Sequence, residues 1–319
     1  MEEASHNNNS QGIKKNQKIK KEKREMGNLK AVLIAFFASA IALQACSVRA
    51  TLSDSTNFYW GETRGKYTGP DSVDLVLTEE GGTGIRSNVS YMYGSITLGI
   101  MLPSGNSAGT VTTFYLSSAN KAHDEIDFEF LGNTTGEPFT IHTNIFTQGK
   151  GSREEQFKPW FNPSDGYHFY TIFWNTYEVV WMVDGVPIRV FKNFHDSEIN
   201  FPDAQPMNTY SSFWNADDWA TQKGAVKTDW SLAPFTASLE NYNVDGCYCW
   251  NTETCVETCS NADDSANWWT QESYTQLSDS QKEQMTKIRN ENMIYAYCTD
   301  YSRFNAEFPR PKECDLQQY

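Results

Sequence analysis

From Asn57 to Tyr242 the chain alternates apolar and polar positions in short runs broken by Gly, Pro, Asn and Asp: YMYGSITLGIM, TVTTFYL, EIDFEFL, FTIHTNIF, HFYTIFW, EVVWMVDGVPIRVF and TYSSFWNA. A period of two puts successive side chains on opposite faces of a strand, and many short strands separated by turn residues predict an all-β sandwich. Asp184-Gly185, between VVWMV and VPIRVF, is a strong two-residue hairpin signal. Antiparallel meanders are therefore expected, not βαβ units.

After Asp245 the texture changes. Ser278-Asp279-Ser280-Gln281 makes a capping box ahead of QKEQMTKIRNENMIYAYC, where Met285, Ile288 and Tyr295 recur at helical spacing. One amphipathic helix is expected to pack there on the sandwich. Three segments follow: a leader over 1–50, a sandwich over 51–243, and a C-terminal extension over 244–319.

The leader joins a basic run, GIKKNQKIKKEKREM, to Ala31–Leu43, an uncharged apolar stretch (AVLIAFFASAIAL) followed by Val48-Arg49-Ala50. A basic segment, a short apolar core and a small-residue cleavage site read as a secretory signal, too short to span a bilayer, so no stable membrane span is expected after processing. Met26 is an alternative start. A nuclear-localisation reading of the lysines is set aside because the apolar core lies directly behind them. Leu43-Gln44-Ala45-Cys46 resembles a bacterial lipoprotein box, which Gln44 and the distant cysteines discount.

Composition changes the picture in two ways. The chain has 26 Lys+Arg against 40 Asp+Glu and ten Trp. Removing residues 1–50 takes away 9 basic and 4 acidic residues, leaving 17 against 36 and a net charge of −19. An acidic, aromatic-rich chain argues against nucleic acid as a partner. Of seven Cys, Cys46 lies in the leader and six (Cys247, Cys249, Cys255, Cys259, Cys298, Cys314) cluster near the end. An even set in a secreted chain predicts disulfides. Zinc at Cys249, Cys255 and Cys259 competes, but no His follows His195. No metal or organic cofactor is expected.

HDEIDFEFLGN, beginning at His123, crowds four acids into six residues. Read as a strand, it turns Ile126, Phe128 and Phe130 to one face and His123, Glu125, Asp127 and Glu129 to the other. Neighbouring carboxylates in such a row stand about 6–7 Å apart at Cα, so they repel and one should keep its proton. Retaining glycosidases use two carboxyls about 5 Å apart, one as nucleophile and one as acid/base. Glu125 and Glu129 start about 13 Å apart at Cα on a flat strand, a gap that long side chains on a twisted concave sheet can close. A solvated strand face or a calcium site are the competing readings, the second weakened because a straight strand does not wrap an ion.

HDEIDFEFLGN closely resembles the active-site signature of plant xyloglucan endotransglucosylase/hydrolases in glycoside hydrolase family 16. The likeness continues through HTNIFTQGKGSREEQF, WFNPSDGYHFYTIFWN, VDGVPIR, FPDAQPMNTYSSFWNADDWAT, MIYAYCTDYSRF and the tail Pro311-Lys-Glu-Cys314, covering roughly 57–319. It implies a concanavalin-like β-jelly-roll sandwich of two antiparallel sheets with a small helical, disulfide-bonded C-terminal extension. It also implies Glu125 as nucleophile, Asp127 as helper and Glu129 as acid/base. His123 is expected to orient its neighbours. Substrate contacts are expected from Asn144, Arg153, Gln156 and His142, with Trp214 and Trp219 as platforms for the apolar faces of sugars. Trp160 and Tyr115 are expected in the core. The resemblance implies the pairing Cys298 to Cys314, leaving three pairings open for the other four Cys, and a glycan at Asn133; Asn88 is a second sequon.

The expected activity is cleavage of the xyloglucan backbone and transfer of the cut end to another chain, by a monomer in the cell wall and apoplast with xyloglucan donor and acceptor chains as partners. AQPMNTYSSFWNADDWATQKGAVKTDW lacks the insertion of the hydrolytic branch, which favours transfer over hydrolysis. Gly84-Ile85-Arg86-Ser87-Asn88 stands where the family reads close to GFQSK, which keeps a mixed-linkage β-glucan endoglucanase as an alternative. A non-catalytic glucan-binding wall protein is the third.

Overall fold

The computed structural model describes residues 50–319 apart from Ser197 and Asn251. The basic leader, the apolar signal segment, Met26 and Cys46 lie outside the described residues. Among the described residues the strands are β1 (Thr56–Trp60), β2 (Gly65–Gly69), β3 (Ser72–Leu77), β4 (Thr83–Ser87), β5 (Ser90–Met101), β6 (Thr110–Ser117), β7 (Glu125–Leu131), β8 (Thr140–Phe146), β9 (Glu155–Phe157), β10 (His168–Trp174), β11 (Glu178–Val183), β12 (Val186–Lys192), β13 (Asn208–Asn215), β14 (Phe235–Cys249) and β15 (Met293–Ala296). The α-helices are α1 (Leu52–Ser55), α2 (Thr252–Ser260) and α3 (Asp279–Asn292).

Every alternating run quoted above contributes a strand, and the strands assemble into two antiparallel sheets. The front sheet has the order β1-β4-β13-β6-β7-β8-β9-β15 and the back sheet β12-β11-β10-β5-β14-β3-β2. This is the expected jelly-roll sandwich. Asp184 (φ 50°) and Gly185 (φ 76°) both take the left-handed backbone that closes the β11–β12 hairpin.

The acid strand β7 lies inside the front sheet, and its apolar side fills the space between the sheets. Ile126, Phe128 and Phe130 are buried, and burial of each contributes about 2 kcal/mol. Tyr170 of the back sheet meets the rings of Phe128 and Phe130 at 5.6 and 4.4 Å. A one-residue slip would drive the carboxylates into this core, so the apolar face fixes which side the acids take. The register is further held by Trp181, whose Nε1 donates to the main-chain oxygen of Asp127 at 2.9 Å.

At the C-terminal end Ser278 caps α3 in the expected capping box, and Met285 and Ile288 are buried. The helix stops at Asn292, earlier than its periodicity suggested, so Tyr295 lies on β15 and not on a helix face. Pairing of β15 with β9 satisfies backbone groups at the sheet edge. β14 extends through Asn243 and Val244 to Cys249, with its register against β5 shifting between Glu240 and Asn243 and between Gly246 and Cys247. The bridges are Cys247–Cys259, Cys249–Cys255 and Cys298–Cys314. The last is the pairing the resemblance implied, and the first two take up the sulfurs of the zinc alternative. No helix among the described residues is long and apolar enough to cross a membrane.

Candidate active site

Cross-strand register builds the site in two rows on the front sheet, on the side of β7 away from the core. Arg86, Tyr210, Tyr115, Asp127 and Asn144 are successive partners across β4, β13, β6, β7 and β8. Ser212, Thr113, Glu129, His142 and Gln156 are successive partners across β13, β6, β7, β8 and β9. Partners directly opposite share a face. A pocket of about 340 Å³ opens there, lined by Glu125, Asp127 and Glu129 with Thr113, Tyr115, Asn144, Phe146, Ser212 and Trp214.

The acid row is not the solvated face that alternation alone would give. Asp127 is only 6 % exposed, and Glu125 and Glu129 are half-buried. Burial raises Asp127 well above the usual carboxylate range, and the charges of Glu125 and Glu129 on either side raise it further. Burial also raises Glu129 to about 7, with help from Glu125 and Glu154. Glu125 is raised by burial too, but hydrogen bonds from Ser117 and Asp127 and the nearby His123 pull it back. The result is an ordering: a protonated Asp127 donates to Glu125, which carries the charge, while Glu129 holds a proton toward neutrality.

His123 lies beside Glu125. Its Nε2 stands 3.9 Å from Glu125 Oε2, and its ring stacks on Phe146 at 5.3 Å. Asn144 is tethered through Oδ1, which accepts from the main-chain nitrogens of Ile145 and Arg153 at 2.9 and 3.0 Å. That leaves its amide nitrogen as the donor for the pocket it lines.

Arg153 does not join the carboxylates. Its Nε donates to Glu313 Oε1 at 2.6 Å and its Nη1 to Thr147 and Lys150, so the side chain ties the loop before β9 to the C-terminal tail. This pairing gives the buried Glu313 the cation it needs. Gln156 and His142 are in the second row: Gln156 Nε2 lies 3.0 Å from His142 Nδ1, and His142 Nε2 lies 3.5 Å from Glu129 Oε2.

Trp214 and Trp219 stand together with ring centroids 6.1 Å apart. Trp219 is 38 % exposed, and its ring lies edge-on to that of His142 with centroids 6.2 Å apart. Two aromatics depart from the core positions expected of them. Tyr115 lines the acid pocket and stacks on Tyr210 at 5.0 Å, with Tyr59 beside both. Trp160 is 40 % exposed and lines a separate groove formed by the loops 135–139 and 159–164. The period-two rule held a signal for Tyr115: in TVTTFYL it alternates with Phe114 and Leu116, which are the buried pair. Phe146 was missed although the same period in FTIHTNIF puts it on the face of His142 and Asn144, opposite Glu125.

Arg86 is exposed, makes no hydrogen bond or ion pair among the described residues, and follows Ile85, which is in the core. It therefore sits on the cleft side in line with Tyr210. Asn133 and Asn88 are at the surface, with their Nδ2 atoms donating to Pro138 O at 3.0 Å and Asp54 O at 2.8 Å.

Residues 52–232 match the profile of glycosyl hydrolases family 16, and residues 263–314 that of the xyloglucan endo-transglycosylase (XET) C-terminus. A probable xyloglucan endotransglucosylase/hydrolase protein 23 of Arabidopsis thaliana is 46 % identical over 287 residues, covering 88 % of this chain and 98 % of its own. Xyloglucan endotransglucosylase protein 34 of Populus tremula x Populus tremuloides is 48 % identical over 248 residues, covering 78 % of this chain and 82 % of its own. Among solved structures, a Bacillus licheniformis beta-glucanase is similar at a TM-score of 0.46 and 23 % identity, covering 60 % of this chain and 88 % of that one.

Proposed function

The chain belongs to glycosyl hydrolase family 16 and within it to the xyloglucan endotransglucosylase/hydrolases, and from that premise we propose a secreted, retaining enzyme that cuts the β-1,4-glucan backbone of xyloglucan and joins the cut end to another xyloglucan chain. The observation that carries the reading is three acids of one strand lining one pocket, with Asp127 buried between the half-buried Glu125 and Glu129.

In the first step Glu125 attacks the anomeric carbon while Glu129 gives its proton to the departing glucan oxygen. A glycosyl–Glu125 bond forms and the chain is cut. Asp127 holds Glu125 by a hydrogen bond and, being neutral, adds no charge against the attack. In the second step an acceptor hydroxyl displaces Glu125 and loses its proton to Glu129, which restores both carboxyls. Trp214, Trp219 and Tyr115 offer flat apolar surface, and Asn144 a polar donor, to the sugars on either side. Three disulfides support an oxidising compartment, and with the leader's signal grammar they support action in the cell wall and apoplast, with wall remodelling as the outcome.

Arg86 motivates one second reading. The cleft end near Tyr210 carries a cation where the family usually reads Gln, which favours a shifted donor preference, such as a mixed-linkage β-glucan.

The test is to incubate the protein with xyloglucan and a fluorescent xyloglucan oligosaccharide, following label in the polymer and new reducing ends together. Label without new ends is the expected result. New ends without label would make the protein a hydrolase, and neither would overturn the substrate.

A further inference from the structure

Gln156, His142 and Glu129 form a file across three adjacent strands, each the direct cross-strand partner of the next. The amide nitrogen of Gln156 has only hydrogens to offer, so His142 Nδ1, 3.0 Å away, must accept. A neutral imidazole has one N–H, and an accepting Nδ1 places it on Nε2. That nitrogen faces Glu129 Oε2 at 3.5 Å, a length that substrate-free sites show before the reacting complex tightens them. His142 is itself buried, with the Trp219 indole edge-on to its ring at 6.2 Å between centroids.

We propose that Gln156 and His142 are positioning residues for Glu129: the ring donates its fixed Nε2–H to Oε2, so that Oε1 is the oxygen that gives the proton to the leaving glucan and takes one from the acceptor. This rests on the acid/base role proposed for Glu129. No proton passes through the ring. In the first step the proton leaves Oε1 and the electrons of that O–H bond stay on Glu129, as the charge the Nε2–H then faces. In the second step the acceptor proton returns to Oε1. The donor keeps one charge state throughout because burial lowers His142 to about 4, below the range in which Glu129 titrates.

Among the described residues, the charged groups around this site supply no such donor, and the hydroxyl of Thr113, the β6 partner of Glu129, is engaged with that of Ser212 at 2.7 Å. On β7, Glu125 carries the charge and Asp127 spends its proton on Glu125. Glu154, just before β9, is an acid held by Arg303 Nη1 at 2.7 Å. Arg189 of β12 is only 1 % exposed and spends its guanidinium on Thr143 and the main chain of Arg153. It acts on Asp127 and His142 through its charge alone.

The experiment compares kcat/KM for xyloglucan transfer with kcat/KM for phenol release from a xyloglucan oligosaccharide carrying a chloronitrophenyl leaving group, which departs without a proton. His142→Phe keeps a ring but removes the donor. It should lower the ratio of natural to aryl substrate at least tenfold and move the alkaline limb of the natural reaction to higher pH, because the carboxylate form of Glu129 loses a stabilising hydrogen bond. His142→Gln, whose amide can donate, should recover most of the ratio. Gln156→Leu, which frees the tautomer, should shift the ratio in the same direction and stands in if His142→Phe does not fold. Equal losses on both substrates through KM, with the limb unmoved, would overturn the relay and leave His142 as a sugar contact. Glu129→Ala separates the two ideas: an unchanged ratio there sinks the acid/base reading itself, whereas a collapsed ratio there with none in the His142 and Gln156 variants sinks only the relay.

Discussion

The indole nitrogen of Trp181, in the back sheet, donates to the carbonyl oxygen of Asp127 at the centre of the acid strand, 2.9 Å away. The core thereby holds the middle carboxylate in place from behind, and Arg189 packs over the same indole at 4.6 Å. Trp181→Phe keeps most of the volume and drops the donor. It should cost about 1–2 kcal/mol of stability and lower kcat several-fold with little change in KM, since the acids and not the platforms are disturbed. Thermal denaturation and steady-state kinetics check this; a KM effect alone would be the contrary result.

Glu125→Gln removes the nucleophile with minimal change of shape. Transfer and cleavage should both fall by at least about a thousandfold, the scale on which loss of a covalent route acts. Retained activity in either assay would refute the assignment of Glu125.

The pH dependence of kcat/KM should be a bell. Its acid limb marks ionisation of Glu125, and its alkaline limb falls near 7, where Glu129 gives up the proton that the leaving oxygen needs. Activity that stays level to pH 9 would contradict the roles.

Stability should fall as the pH rises from about 4.5 to 7. Glu129 and Glu178 are both raised by burial to about 7, from an ordinary value near 4.5, and Asp127 is raised as well. The folded chain therefore binds more protons than the unfolded one in this window, so the stability they confer is complete below it and is lost above. Glu155 works the other way, since Arg289 and Arg189 hold it low despite its burial, but its contribution is lost only at more acidic pH. Glu129→Gln should remove a slope worth on the order of 2–3 kcal/mol. Denaturant melts at pH 5 and pH 8 measure it, and equal slopes in wild type and variant would count against the buried-acid account.

Arg153 and Glu313 should behave as one structural unit. Removing either leaves the other buried without its partner at a cost of about 3 kcal/mol, so Arg153→Ala and Glu313→Ala should together cost clearly less than the sum of the two. Simple additivity in a double-mutant cycle would show that the 2.6 Å contact carries no coupling.

Much of this was legible in the linear chain. Alternation in EIDFEFL put Ile126, Phe128 and Phe130 inside and the three acids together, because the pleat has a fixed period. Asp184-Gly185 announced its hairpin, and Ser278 and Gln281 announced the start of α3, because turns and caps are local chemistry. The end of α3 was not legible: Tyr295 fits a helix as well as a strand, and only the open edge of β9 decided between them. Nor was the pairing of Arg153 with Glu313, far along the chain, which only the fold brings against it.

The sequence by itself therefore determined which residue types meet on one face of one strand, the two-sheet class of fold, and, through its resemblance, the family. Tertiary structure decided everything that depends on neighbours from other strands. It buried Asp127, raised Glu129 to about 7, placed Tyr115 and Phe146 in the pocket, paired Cys247 with Cys259 and Cys249 with Cys255, and lined up Gln156, His142 and Glu129. Periodicity and capping act within a few residues of each other along the chain, whereas desolvation and cross-strand contact act between residues that only folding makes adjacent.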